Sequence, residues 1–407
     1  MNIKRSLDKI NIKTDYRKSD IQCCLDPFRK KLIPVKKEEI VRQKTAVYFR
    51  DVIKVPEYLI FTEDALSHWG SKSKERADII IGYEDDNKNI HCLGIIECKS
   101  LDIPMSSQTY DQCRRYIDEL GGKYIFITNG IEIFAWHTDG EKTEELSTLP
   151  EYQEMLNENL KIQVYEPENY RRLSFNELNV MSEEELYDTN FIGEDTPKYL
   201  WKHIVNLGDC LFDIEHSVLK KQFHGIEIAD DLGISWLNYG DASGGNFGTG
   251  LYRSILIKDQ SGNNQVISFS IMPVGKTEND SKYGNSTGKS SLIVSFQDFK
   301  VDYTVVQVNL NKCLKLESNK LTLWHNGVVM KNGARKEELI RRVESFSPSM
   351  IRNGKIYLGT LPSNKLMYLD SNEVMNTLCN LILYSLIRNQ YKLDLRASDA
   401  KRNKNLK

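Results

Sequence analysis

Three polar side chains stand at the ends of otherwise apolar runs. Asp78 opens DIII, and Glu97 and Lys99 close GIIECK. Hydrolysis of a phosphodiester needs a metal ion to neutralise charge developing on the phosphorus oxygens, carboxylates to hold that ion, and a positioned water as nucleophile. Two carboxylates and a lysine meet this need if the two runs pair as strands. Side chains alternate along a strand, so Glu97 and Lys99, two apart, share a face, where one can bind metal while the other meets the water. Cys98 points the other way, its backbone carbonyl remaining as a further oxygen ligand. The competing reading is a structural ion pair between Asp78 and Lys99, since buried charges need partners.

Spacing alone decides little in a chain with 28 % charged residues. Asp298 and Lys300 repeat the acid-x-Lys spacing after SLIVSFQ, yet no helix with polar side chains follows them, and Asp280 upstream falls in a Gly/Ser/Asn loop. After Lys99 the context is different. Gln108, Gln112 and Tyr116 recur every four residues, which sets them in one stripe on a helical face. Such a stripe can line a groove, with Gln and Tyr bonding phosphates or bases and the Tyr116 ring offering a stacking surface. Arg114 and Arg115 are candidate phosphate contacts. A solvated polar face is the alternative for all five.

Several elements must position these residues. Apolar residues at helical spacing after Pro34 predict a first helix from Lys36 to about Ile53. ADIIIGYE (77–84) and HCLGIIECKS (91–100) flank the polar turn DDNKN and read as a strand hairpin. Ser106 and Ser107 cap a following helix that ends at Gly121 and Gly122. KYIFITN and IEIFAWH then give two short strands about Asn129 and Gly130. The acidic stretch contains a helical piece, EYQEMLNENL. Beyond Trp201, alternating runs such as RSILIKD, QVISFSIMP, SLIVSFQDF and KLTLWHNG predict mostly β structure, with helices over 335–346 and 372–390 and His325 at a strand end. A sandwich is the expected form, and KRNKNLK at the C-terminus reads as disordered.

The 407 residues suffice for two or three domains. We divide them into a basic N-terminal extension (1–35), an α/β domain (36–138), an acidic, partly helical connector (139–199), a β-rich domain (200–396) and a basic tail (397–407). Residues 1–50 hold fourteen Lys/Arg against six Asp/Glu, whereas residues 139–196 hold four against sixteen. A basic leading segment suits a polyanion; a solvated face is the other reading. No apolar run is long enough to span a membrane and no secretory signal is visible, so a cytoplasmic protein is expected. The eight cysteines show no zinc or disulfide spacing and read as reduced thiols.

Taken together, EEIVRQK, RADIII, IIECKS, the QxxxY pattern of Gln112 and Tyr116, and YIFITNG resemble the N-terminal nuclease domain of type I restriction enzyme motor subunits, within the PD-(D/E)xK superfamily. The resemblance runs from about Lys36 to His137. It implies a restriction-endonuclease-like mixed sheet flanked by helices, followed here by the β-rich domain. It also implies magnesium, with manganese as substitute, held by Asp78 and Glu97 and joined by Glu39 from the leading helix, although Glu38 is adjacent. Lys99 would orient or activate the water, and Gln112 and Tyr116 would support the site and the DNA. Restriction or defence against foreign DNA is the implied setting; the residues themselves leave RNA open as substrate, as they do a silent nucleic-acid-binding protein, and a protein partner or second copy is a candidate for the β-rich domain. Those motor subunits also carry a helicase-like ATPase. The nearest candidate loop here, from Gly284 to Lys289 and Ser290, has three residues between its glycines instead of four and leads into a strand, so it reads as a flexible hairpin loop and no ATP binding is expected. GDASGGNFGTG (240–250) reads as a loop.

Overall fold

Two units divide the chain, Met1–Tyr170 and Arg171–Lys407. The computed structural model describes residues 1–100, 103, 107–140, 142–157, 172–240, 246–280, 284–297, 303–329 and 335–404.

Isoleucine-rich strands build the centre of the first unit, because branched side chains facing both ways suit a sheet covered on both faces. Its elements are α1 (Lys4–Asp8), β1 (Tyr16–Lys18), β2 (Ile21–Asp26), β3 (Lys31–Pro34), α2 (Lys37–Asp51), β4 (Ile60–Ala65), β5 (Arg76–Glu84), β6 (Ile90–Cys98), α3 (Ser107–Leu120), β7 (Tyr124–Thr128), β8 (Ile133–Thr138), β9 (Thr143–Glu145) and α4 (Tyr152–Leu156). Strands β4 to β9 form one sheet in chain order. Only β6 and β7 run parallel within it, joined by the α3 crossover. One core sets Ala46, Val47 and Phe49 of α2 against Ile79, Ile81, Ile96 and Phe126. The other sets Cys113, Tyr116 and Ile117 of α3 against Ile80, Ile95, Ile125 and Ile127. Gly94 permits the close parallel pairing, since a Cβ there would lie 2.9 Å from the Tyr124 Cβ and carbonyl oxygen.

Residues 1–35 do not form an extension apart from this unit. Strands β1 to β3 make a small sheet of their own, and Ile3, Leu7 and Phe28 enter the α2 core. The acidic stretch likewise divides: β9 and α4 belong to the first unit, where Tyr152, Met155 and Leu156 are buried.

The second unit contains α5 (Phe175–Val180), α6 (Glu183–Asp188), α7 (Trp201–Leu211), β10 (Lys221–Phe223), β11 (Ile226–Gly240), β12 (Asn246–Lys258), β13 (Asn264–Val274), β14 (Thr277–Asp280), β15 (Gly284–Ser286), β16 (Lys289–Phe296), β17 (Tyr303–Asn309), α8 (Leu310–Cys313), β18 (Leu314–Glu317), β19 (Lys320–His325), α9 (Lys336–Phe346), β20 (Ile351–Arg352), β21 (Lys355–Pro362) and α10 (Asn372–Lys404). Its larger sheet runs β10-β11-β12-β13-β16-β17 and curls until β17 meets β11 at Tyr303 and Gly240. A second sheet runs β18-β19-β21-β20. The expected sandwich is therefore replaced by a sheet that closes on itself beside a smaller one. Register shifts along β11 supply the bending, as bulges do in curved sheets.

Three further expectations change. The segment from Gly284 is not a free loop: Gly284–Ser286 pairs with β14, and the Gly288 N–H donates to the Asp195 carboxylate at 2.8 Å. That amide is thus spent on an internal carboxylate rather than left for phosphate. The C-terminal residues continue α10 as far as Lys404, because Ala397 and Ala400 favour helix. In the glycine-rich segment, Gly240 ends β11 and Asn246 begins β12, while residues 241–245 lie outside the described residues, as do Asp298, Lys300 and Ser106. All eight cysteines are free and buried. Among the described residues, no helix is long and apolar enough to cross a membrane.

Candidate active site

Strands β5 and β6 pair antiparallel with Ile79 opposite Ile96. One step along that register Asp78 stands opposite Glu97, which brings the two carboxylates close enough to repel at the margin of the sheet. The Cys98 N–H donates to Asp78 Oδ2 at 2.7 Å and fixes that carboxylate against the neighbouring strand. Lys99 Nζ donates to Glu97 Oε1 at 2.6 Å. Asp78 and Glu97 are nearly buried, whereas the Lys99 side chain is 21 % exposed and gives the group its opening to solvent. Lys99 therefore pairs with Glu97, not with Asp78 as the structural alternative required. The Cys98 thiol lies in the α2 core.

Helix α2 supplies residues that sequence reasoning missed. Arg42, 5 % exposed, donates to Asp78 Oδ1 from Nε at 3.1 Å and from Nη2 at 2.9 Å. The same guanidinium pairs with Glu39 and, at 2.7 Å, with Glu63 of β4. Glu39 is buried rather than solvated; it also accepts from Gln43 at 2.7 Å and lies 3.7 Å from Arg29. Arg29 is held in turn by the fully buried Asp26 at 2.7 Å. Glu63 sits on its strand with φ +52°, a left-handed conformation that costs about 1–3 kcal/mol and clusters at functional sites. The i, i+3 spacing of Glu39 and Arg42 was the available signal for the arginine; nothing in the sequence marked Glu63.

Acidic charge dominates this cluster. The carboxylates of Glu38, Glu39, Glu63, Asp78 and Glu97 outnumber the cations Arg42 and Lys99, and Arg29 is shared with Asp26. Burial, and then the neighbouring Asp78, push the Glu97 carboxyl up to about 7 against the opposing pull of Lys99. Burial works against the Lys99 ammonium, but the bond to Glu97 and the nearby acids raise it above the ordinary lysine value. Burial and Asp78 likewise hold the Cys98 thiol protonated.

Helix α3 brings only part of its expected stripe to this place. Gln108 is exposed and Gln112 half-buried, while Tyr116 is 3 % exposed and accepts a 3.0 Å bond from Gln112. The Tyr116 ring packs in the α3 core, so it offers no free face to a base. It shares that core with Ile95 and with Ile127, the residue paired with Glu97 across the sheet. Arg114 pairs with Asp118 on its own helix and is tied to the sheet edge through Thr138 and the Gly140 carbonyl. Arg115, exposed, pairs with Glu75 at 3.1 Å and lies over the Tyr116 ring.

Fold and site thus define an α/β unit that gathers carboxylates and one lysine at a sheet margin. Residues 37–150 of this unit match the family model described as type I restriction enzyme R protein N terminus. No curated protein and no solved structure matches the chain.

Proposed function

We propose that the first unit is a magnesium-dependent nuclease of the PD-(D/E)xK type that hydrolyses DNA phosphodiester bonds in restriction or defence against foreign DNA. One observation carries the reading: Asp78 and Glu97 at facing register positions, with Lys99 Nζ 2.6 Å from Glu97 at the most exposed part of the trio. The family match over residues 37–150 supports it.

The donor set fits a hard divalent cation, which prefers carboxylate and carbonyl oxygens. Asp78, Glu97 and the Cys98 carbonyl would hold magnesium, and manganese in its place, with Glu39 adding charge. When bound, the ion would neutralise negative charge on the phosphorus oxygens. The chain's own residues do the rest. The Cys98 amide orients Asp78, Arg42 ties it to α2 and Glu39, and Lys99 presents N–H donors where a water or phosphate oxygen arrives. Gln112 and Tyr116 brace the floor under Glu97.

Cleavage of double-stranded and single-stranded DNA and of RNA, with magnesium or manganese, tests the proposal directly. The parent protein is expected to cut DNA, and Lys99→Ala to lower the rate at least 100-fold while DNA binding persists. Equal cleavage by the parent and Lys99→Ala would refute the assignment, and preferential RNA cleavage would change the substrate.

A second reading has its own support. Arg42 already neutralises Asp78 and Glu39, which suits a nucleic-acid-binding protein that has lost turnover. Manganese titration followed by electron paramagnetic resonance separates the two: the nuclease binds the ion and Asp78→Asn loses it, whereas the silent protein binds DNA without metal.

A further inference from the structure

The second unit buries a cationic group that the proposed nuclease reaction does not use. Arg388 on α10 is 9 % exposed. Its Nη2 donates to the Val328 carbonyl at 3.1 Å, but Nε and Nη1 are buried and have no hydrogen-bond partner. Each fork of the guanidinium therefore keeps an unused donor. Ser385, a turn earlier and fully buried, has an orphaned hydroxyl as well. A turn later the half-buried Lys392 makes only a long 3.5 Å bond to the Val305 carbonyl. Among the described residues no carboxylate pairs with Arg388 or Lys392, and burial with the nearby Arg388 and Arg396 pushes the Lys392 ammonium down to about 8. Residues 385, 388, 392 and 396 follow helical spacing, so the stripe runs from the fully buried Ser385 to the exposed Arg396 along one face.

Buried charges without partners are rare because they cost more than apolar side chains of the same shape. Arg388 and the half-buried Lys392 a turn away repel each other, and the unused donors of Arg388 and Ser385 point to a missing acceptor. A tetrahedral dianion answers this better than a carboxylate, since it balances both charges and offers more oxygens to the guanidinium, ammonium and hydroxyl. The low exposure of Arg388 favours a terminal phosphate over a diester backbone, which would need an open groove on both sides. We propose that Ser385, Arg388 and Lys392 form a binding site for a terminal phosphate group, carried by a small phosphorylated ligand or present as free phosphate, with Arg396 at its outer end. Such a ligand would tie α10 to β17 and to the segment after β19, independently of any nuclease activity in the first unit.

Thermal unfolding of the full chain at constant ionic strength tests this, with inorganic phosphate, pyrophosphate or ATP as probe and sulfate as the control for general salt effects. A saturable rise in Tm with phosphate alone identifies the free ion, and a rise at tenfold lower concentration with pyrophosphate or ATP identifies a larger phosphorylated ligand. Arg388→Met is expected to raise the Tm in ligand-free buffer and to remove the response, and Lys392→Gln to weaken the response at least tenfold. Absence of a saturable response to all three probes overturns the proposal. So does an Arg388→Met variant that is less stable than the parent without ligand, since the arginine is then structural. A response equal to that of sulfate and unchanged in Lys392→Gln has the same consequence.

Discussion

Arg42 holds four carboxylates of the candidate site with one side chain, so it is the residue where stability and function meet most directly. Arg42→Ala leaves Glu39 and Asp78 buried without their cation, and removing one partner from a buried pair costs about 3–5 kcal/mol. Urea denaturation at neutral pH should show that loss in the first unit, with Arg42→Lys intermediate because an ammonium keeps the charge but not the planar fork. An Arg42→Ala protein as stable as the parent would mean that the carboxylates relax away from one another. The sequence made Asp78, Glu97 and Lys99 legible because polar groups ending apolar strands are conspicuous. Arg42 was hidden, since a lysine- and arginine-rich helix normally exposes such a residue, and only the register of β4 beside β5 brings Glu63 and Asp78 to it. Tyr116 was legible as part of a stripe, but its depth depends on how closely α3 lies on the sheet, which spacing does not encode.

Among the elements, the parallel pair β6 and β7 fixes the site's geometry, and at Gly94 the neighbouring Tyr124 leaves no room for a side chain. Gly94→Val forces the two strands apart; an overpacked core residue costs about 1–3 kcal/mol, so a lower denaturation midpoint is expected together with slower cleavage, because Glu97 lies on the same strand. The hairpin, the crossover helix and the closing strands of this unit could all be read from periodicity. The N-terminal strands could not, since their charge masks the few apolar anchors, Leu7 and Phe28, by which they join the core. In the second unit the strands themselves were visible, but among the described residues the sheet closes through the pairing of Gly240 on β11 with Tyr303 on β17, and no local pattern announces a contact between strands so far apart in sequence.

At the scale of the molecule, the two units should respond differently to acid. Burial lowers His203 to about 4 and His325 to about 3, from an ordinary value of 6.5. Both rings are neutral in the folded second unit, whereas the unfolded chain protonates them near pH 6.5. The unfolded state therefore binds more protons as pH falls, and stability that is full above pH 6.5 declines toward pH 4, by about 1.4 kcal/mol per pH unit for each ring once the unfolded form is charged. Denaturation midpoints of the second unit at pH 7 and pH 5 should differ accordingly, and His203→Leu should flatten the slope. The sequestered thiols give this an independent readout: five cysteines, Cys23, Cys24, Cys92, Cys98 and Cys113, lie in the first unit, and three, Cys210, Cys313 and Cys379, in the second. Alkylation by iodoacetamide followed by mass spectrometry becomes a tally of which half has opened, with mass additions in steps of five or of three if each half melts cooperatively.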